Sequence, residues 1–110
     1  MSQGFGESLK MLGDLRAKIE KMKEEAGNIR VEATSGGGMV KVVANARLEV
    51  LSVQIEPGIL NPGERELVQD LVTSAVNSAI TKAQAEMRNK LGIELLALGV
   101  PLPDLSGLVQ

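Results

Sequence analysis

Five basic residues, Lys10, Arg16, Lys18, Lys21 and Lys23, crowd into one early stretch of the chain, and three more, Lys82, Arg88 and Lys90, crowd into a late one. Ammonium and guanidinium groups clustered on a face can neutralise phosphates, which is a chemistry of binding rather than of turnover. Acids are interleaved with the first set: Glu7, Asp14, Glu20, Glu24 and Glu25. An ordinary solvated helix face therefore competes with the phosphate reading there. In the second set Glu86 is the only acid, and favourable placement of cations near a helix C-terminus competes in the same way. Lys41 and Arg47 are weaker candidates.

Chemistry that breaks bonds has little to work with. The chain holds neither cysteine nor histidine, so disulfides, thiolate catalysis, zinc sites with Cys or His ligands and Ser-His pairs are all excluded. The carboxylate pairs Glu64/Glu66 and Glu24/Glu25 lie in helix starts and charged runs, where solvation explains them. No cofactor, metal or small-molecule substrate is expected. The run Ser35-Gly36-Gly37-Gly38 could cradle a phosphate with backbone N–H groups. However, a phosphate-binding loop needs a following Gly-Lys-Ser/Thr and a helix, and a strand pattern follows here. A hairpin turn is the expected reading.

A single phenylalanine is the only aromatic residue, so base-stacking platforms are nearly excluded and the core must be aliphatic. The net charge of −2 argues mildly against nucleic acid, but it comes from an uneven distribution: Glu49 to Asp70 is acidic, with only Arg65 opposing it. Nucleic acid should avoid that side. No apolar run reaches the length of a membrane span, and the first residues lack the apolar segment of a signal peptide, so a cytoplasmic location is expected.

The elements that must position these residues follow from periodicity. Residues 1–5 are expected to be loose. Residues 7–26 have a helical pattern: Phe5, Leu12, Ile19 and Ala26 fall seven apart with Leu15 and Met22 interleaved, the spacing of a coiled-coil seam. Residues 29–55 alternate as three short strands joined by tight turns, an antiparallel meander. Ile29, Val31 and Ala33 alternate with Arg30, Glu32 and Thr34; Val40, Val42 and Ala44 share one face of the second strand, and Leu51, Val53 and Ile55 share one face of the third. Asn61-Pro62-Gly63-Glu64 has the form of a capping box opening a long helix over 62–91. Ala75, Ala79 and Ala83 would let that helix approach the strands or a partner closely. Gly92 is expected to interrupt it, leaving 92–110 as a Pro-rich tail with Leu102, Leu105 and Leu108 available for contact. The expectation is a single α+β domain spanning 1–110: helix, three-stranded antiparallel meander, long helix, tail.

With that order in view, SGGGMVKVVANARLEVLSVQIEP (35–57) resembles the Gly-rich, V-x-V-x-x-N, E-V, I-D-P core of the YbaB/EbfC family of bacterial nucleoid-associated proteins. Leu71-Val72, Ala75-Val76-Asn77-Ser78-Ala79 and the Pro-Leu-Pro tail extend the likeness over nearly the whole chain. Ala46 stands where family members commonly have glycine, and Glu56 replaces the usual Asp before Pro57. The resemblance implies a small homodimer with protruding N-terminal helices that binds duplex DNA with little or modest sequence selectivity. It implies a nucleoid location and no enzymatic activity, with roles in nucleoid organisation and gene regulation. An alternative from another class is a protein-interaction adaptor using the helical seam and the leucine-rich tail.

Overall fold

The computed structural model describes residues 2–97 and 99, and the expected tail with Leu102, Leu105 and Leu108 lies outside the described residues. The elements run α1 (Ser2–Ala26), β1 (Arg30–Ser35), β2 (Val40–Asn45), β3 (Val50–Ile55) and α2 (Arg65–Ala97). The architecture is α+β, with one antiparallel sheet of order β1-β2-β3. The meander, the N-terminal helix and the long C-terminal helix all match expectation.

Alternation decides which side of the sheet is dry. Ala33, Val42 and Val53 form one cross-strand row; Val31 with Ala44, and Val40 with Ile55, form its neighbours. Ala33, Val40, Val42 and Ala44 are fully buried together with Ala75 and Ala79 of α2, and Leu71, Val72 and Val76 pack at the margin. The alanines let the helix backbone come close to the strands, while the flanking branched side chains fill the edges. Ala83 is buried as well. The core is small: Val40 and Val42 are its largest fully buried side chains.

Turn chemistry fixes the register. Gly36, Gly37 and Gly38 all take positive φ between β1 and β2. At Gly36 a Cβ would sit 2.9 Å from Leu71 Cδ2, so only glycine fits both the backbone and the space. Ser35 Oγ donates to Leu71 O at 2.6 Å and pins the same turn to α2. The β2–β3 hairpin is built around Asn45, the buried polar residue of the described chain. Its Oδ1 accepts from Arg47 N and Glu49 N at 3.0 and 3.1 Å. Its Nδ2 donates to Glu49 Oε1 at 2.8 Å. Leu48 occupies the left-handed position that glycine usually fills in such three-residue loops.

Three expectations need correction. Helix α1 starts at Ser2, so residues 2–5 are helical. The capping box is not formed: Asn61 makes no side-chain cap, Pro62–Glu64 is a short 3₁₀ turn, and α2 begins at Arg65. Gly92 does not end α2, which continues to Ala97. A bulge between Val43 and Ala44 shifts the β2–β3 register and pairs Val50 with Ala44, a detail for which periodicity gives no signal.

Candidate nucleic-acid interface

The eight basic residues singled out by spacing sit on α1 and α2, and the fold treats them unequally. The two helices run antiparallel where they meet. Met22 and Ala26 are buried on α1, and Gly27 begins the turn into β1, with its N–H donating back to Lys23 O and Glu24 O. The hairpin tip fastens this end. Ala46 N donates to Ala26 O and Ile29 O at 3.2 and 3.0 Å, and Asn45 Nδ2 reaches Gly27 O at 3.4 Å.

Just before that junction, ion pairs join α1 to α2. Lys90 Nζ donates to Glu25 Oε2 at 2.6 Å and lies 4.0 Å from Glu94 Oε1, with its side chain only 16% exposed. Lys18 Nζ is 3.1 Å from Glu94 Oε2, and Lys21 Nζ is 4.0 Å from Glu25 Oε1. Two carboxylates thus stand among three lysines. The hydrogen bond from Lys90 holds the Glu25 carboxyl below its usual range, and the charges of Lys90, Lys21 and Lys18 act in the same direction. This cluster orients the helices, and it uses much of the charge that Lys18 and Lys90 would offer to an outside phosphate.

The other candidates are more open. Lys23 reaches Glu20 at 3.7 Å along its own helix, a weak solvent-screened pair. Lys82 Nζ donates to Glu32 O at 2.8 Å and ties α2 to β1 while remaining exposed. Lys10, Arg16 and Arg88 are exposed and make no ion pair among the described residues. Lys41 pairs with Glu32, and Arg47 with Glu49. Glu56, Glu64, Glu66 and Asp70 gather around the start of α2 with Arg65, and they more than account for the net charge of −2. Asp70 precedes Arg88 by about 27 Å of helix axis at 1.5 Å per residue, so the acidic and basic ends of α2 are well separated.

Beyond the ion cluster α1 stands clear of the sheet. Phe5 is 68% exposed and Leu12 62%, and Leu9, Leu15 and Ile19 continue the uncovered seam. The radius of gyration, 20.0 Å, is well above the ~13 Å of a compact 100-residue domain. A second apolar patch lies on the far side, at the open edge of the sheet: Val50, Leu51 and Val53 of β3 are each about half exposed, with Leu60 and Leu67 beyond. Among the described residues no group of His, Cys, Asp and Glu is placed to hold a metal, and no helix is long and apolar enough to cross a membrane.

Sequence spacing found the basic residues but missed what Asn45 does. A turn asparagine was visible; its simultaneous grip on Glu49 and on the end of α1 was not.

The model of the YbaB/EbfC DNA-binding family matches residues 1–94. A nucleoid-associated protein of Dictyoglomus thermophilum is 40% identical over 97 residues, covering 88% of this chain and 91% of its own. One of Syntrophobacter fumaroxidans is 38% identical over 108 residues, covering 98% and 97%. Among solved structures, that of an uncharacterized protein from Helicobacter pylori shares the fold with a TM-score of 0.60 at 25% identity, covering 72% of this chain and 92% of that one.

Proposed function

This chain belongs to the YbaB/EbfC DNA-binding family, and on that premise we propose that it binds duplex DNA as a homodimer, through cations of α1 and α2, with low sequence selectivity. The observation that carries the reading is the state of Lys10 and Arg16. They are exposed, unpaired among the described residues, and borne on a helix that projects away from the acidic end of the molecule. Lys21 and Lys23 add charge on the same helix and Lys82 and Arg88 add charge on α2, while Lys18 and Lys90 act chiefly by holding the helices in place. Contacts of this kind go to phosphates, which position a protein on the duplex without reading bases. The whole chain works as one domain, in the nucleoid within the cytoplasm, with a role in DNA organisation and gene regulation.

The open β3 edge supports dimerisation. It offers unpaired backbone groups beside half-exposed Val50, Leu51 and Val53, and completing the burial of each side chain gains about 1 kcal/mol. Two protomers joined there would present two copies of α1.

The test is binding to several unrelated duplexes across a salt series. The affinity falls by about 0.9 log units per log unit of salt for each phosphate neutralised. The double change Lys10→Glu, Arg16→Glu should weaken binding to every duplex alike and flatten that slope, with sedimentation unchanged. An unaltered slope removes α1 from the interface.

The exposed seam of α1 favours a second reading, a protein adaptor. Partners retained after nuclease digestion and lost on Leu12→Asp would support it.

A further inference from the structure

The uncovered seam of α1 is symmetric about one residue. Phe5, Leu9, Leu12, Leu15 and Ile19 are each 41–68% exposed. Reversing the stretch about Leu12 carries Phe5 onto Ile19 and Leu9 onto Leu15. From Leu9 to Ile19 the seam is an open groove rimmed by Gly13, Arg16 and Glu20. The ion pairs to α2 reach no further along α1 than Lys18, so the half toward Phe5 is free of them. At 100° per residue, Leu9 and Leu15 lie about 50° to either side of the row Phe5, Leu12 and Ile19. A seven-residue repeat of this kind is shaped to receive another helix.

An identical helix laid antiparallel, with Leu12 at the centre, meets every open apolar side chain with another. Phe5 falls at the level of Ile19 of the second copy. Leu9 falls at the level of its Leu15, on the opposite flank, so both flanks fill. The charged residues of the flanks meet small ones: Arg16 comes level with Ser8, Lys18 with Gly6, and Glu20 with Gly4 of the second copy. No like charges are brought together. Gly4, Gly6 and Gly13 weaken the interior of α1, and a Cβ on any of them would touch nothing in its own chain. A close helix gives their small size a use. A parallel pair is less suited, because it sets Lys18 beside Lys23 of the second copy and crowds both sheets at one end. Six open apolar side chains per helix, Met11 at 72% among them, leave on the order of 1,000 Å² to bury over the pair. That is the low end of specific interfaces and suits a contact made at high local concentration.

We propose that α1 pairs antiparallel with α1 of a second copy, with Leu12 on the two-fold axis. The contact uses none of the β3 edge, so dimers joined at that edge keep two free arms and link end to end into larger assemblies. Lys10 lies about 160° round the helix from Leu12 and stays outward. Only the consequence for DNA rests on the function proposed above: dimers bound to separate duplexes become tied to one another through their arms.

The chain has no cysteine, so each single cysteine variant carries one thiol. In the DNA-free protein, mild oxidation should cross-link Leu12→Cys chains at least about tenfold faster than Lys10→Cys chains, because the contact raises the local thiol concentration. Phe5→Cys alone should resist, while Phe5→Cys mixed with Ile19→Cys should cross-link. In sedimentation, species larger than the dimer should appear as wild-type concentration rises and be lost in Leu12→Asp, with an unchanged thermal melt. Equal rates for Leu12→Cys and Lys10→Cys overturn the proposal, as does ready cross-linking of Phe5→Cys to itself. A wild type that never exceeds the dimer, or large species that persist in Leu12→Asp, overturns it too. Each readout is made without DNA, so its failure is separate from a failure of the salt-series test.

Discussion

Replacing Asn45 by alanine should destabilise the protein more than any change at the exposed basic residues. Four hydrogen bonds disappear: two accepted from Arg47 N and Glu49 N, and two donated to Glu49 Oε1 and Gly27 O. Each contributes about 0.5–1.5 kcal/mol net, and the bond to the carboxylate is at the stronger end. The turn is partly exposed, so water recovers some of the loss at Arg47 N and Glu49 N. The 3.4 Å bond to Gly27 O is the weakest of the four. The expected cost is about 2–3 kcal/mol, a large share of a typical total of roughly 5–15 kcal/mol. For a domain of this size that lowers Tm by about 10 °C or more. Urea unfolding at fixed protomer concentration measures it, the concentration being held because subunit association shifts apparent stability. Asn45→Asp supplies a second readout. It keeps both accepted bonds but loses the two donated ones and sets a carboxylate beside that of Glu49, so it should also destabilise the protein, as read from the same urea midpoints. A cost for Asn45→Ala below about 0.5 kcal/mol, against the usual worth of even one such bond, would refute the role assigned to this side chain.

At Glu25 the folded carboxyl titrates below its ordinary range because Lys90 hydrogen-bonds it, so its contribution to stability is present above the ordinary carboxylate pKa and is lost as pH falls through the lowered one. Stability of the wild type should therefore fall more steeply than that of Glu25→Gln between roughly pH 5 and pH 3, as read from urea midpoints; parallel curves would exclude the linkage. Gly36→Ala should cost at least ~1–2 kcal/mol from the left-handed backbone alone, with more from the contact against Leu71, and a thermal melt reads the loss.

Much of the architecture follows from periodicity because burial and period coincide. Val40, Val42 and Ala44 alternate and are all buried; Ala75, Ala79 and Ala83 recur every four residues and are all buried. The seam of α1 was equally plain, yet its exposure was not, because a seven-residue repeat states that a partner is needed without saying where it lies. Gly92 misled for a different reason. Glycine in a helix costs only about 1 kcal/mol, and the ion pairs of Lys90 and Glu94 to α1 secure the turns on either side of it. The Asn61 box is not formed because Pro62–Glu64 is a separate 3₁₀ turn, which sets the start of α2 at Arg65, beyond the reach of an Asn61 cap. For the candidate interface, composition located the cations but could not divide them. Lys90 and Glu25 are 65 positions apart in sequence, and only their meeting in space separates a lysine that braces two helices from one, such as Lys10, that faces water.

The clamp of Ala46 and Asn45 on the end of α1, with the ion pairs Lys90–Glu25 and Lys18–Glu94 beyond it, makes that helix a lever held at its base. From Lys18 to Phe5 the free arm is about 20 Å long at 1.5 Å per residue. A pivot of ~10° therefore carries the far end through roughly 3 Å, about half the ~6 Å width of a DNA minor groove. On the proposed reading, the stiffness of the hairpin clamp and the ion pairs governs how accurately cations at the far end of the arm meet the phosphate spacing. Substitutions at the loop would then retune DNA binding from a distance, without removing a single charge.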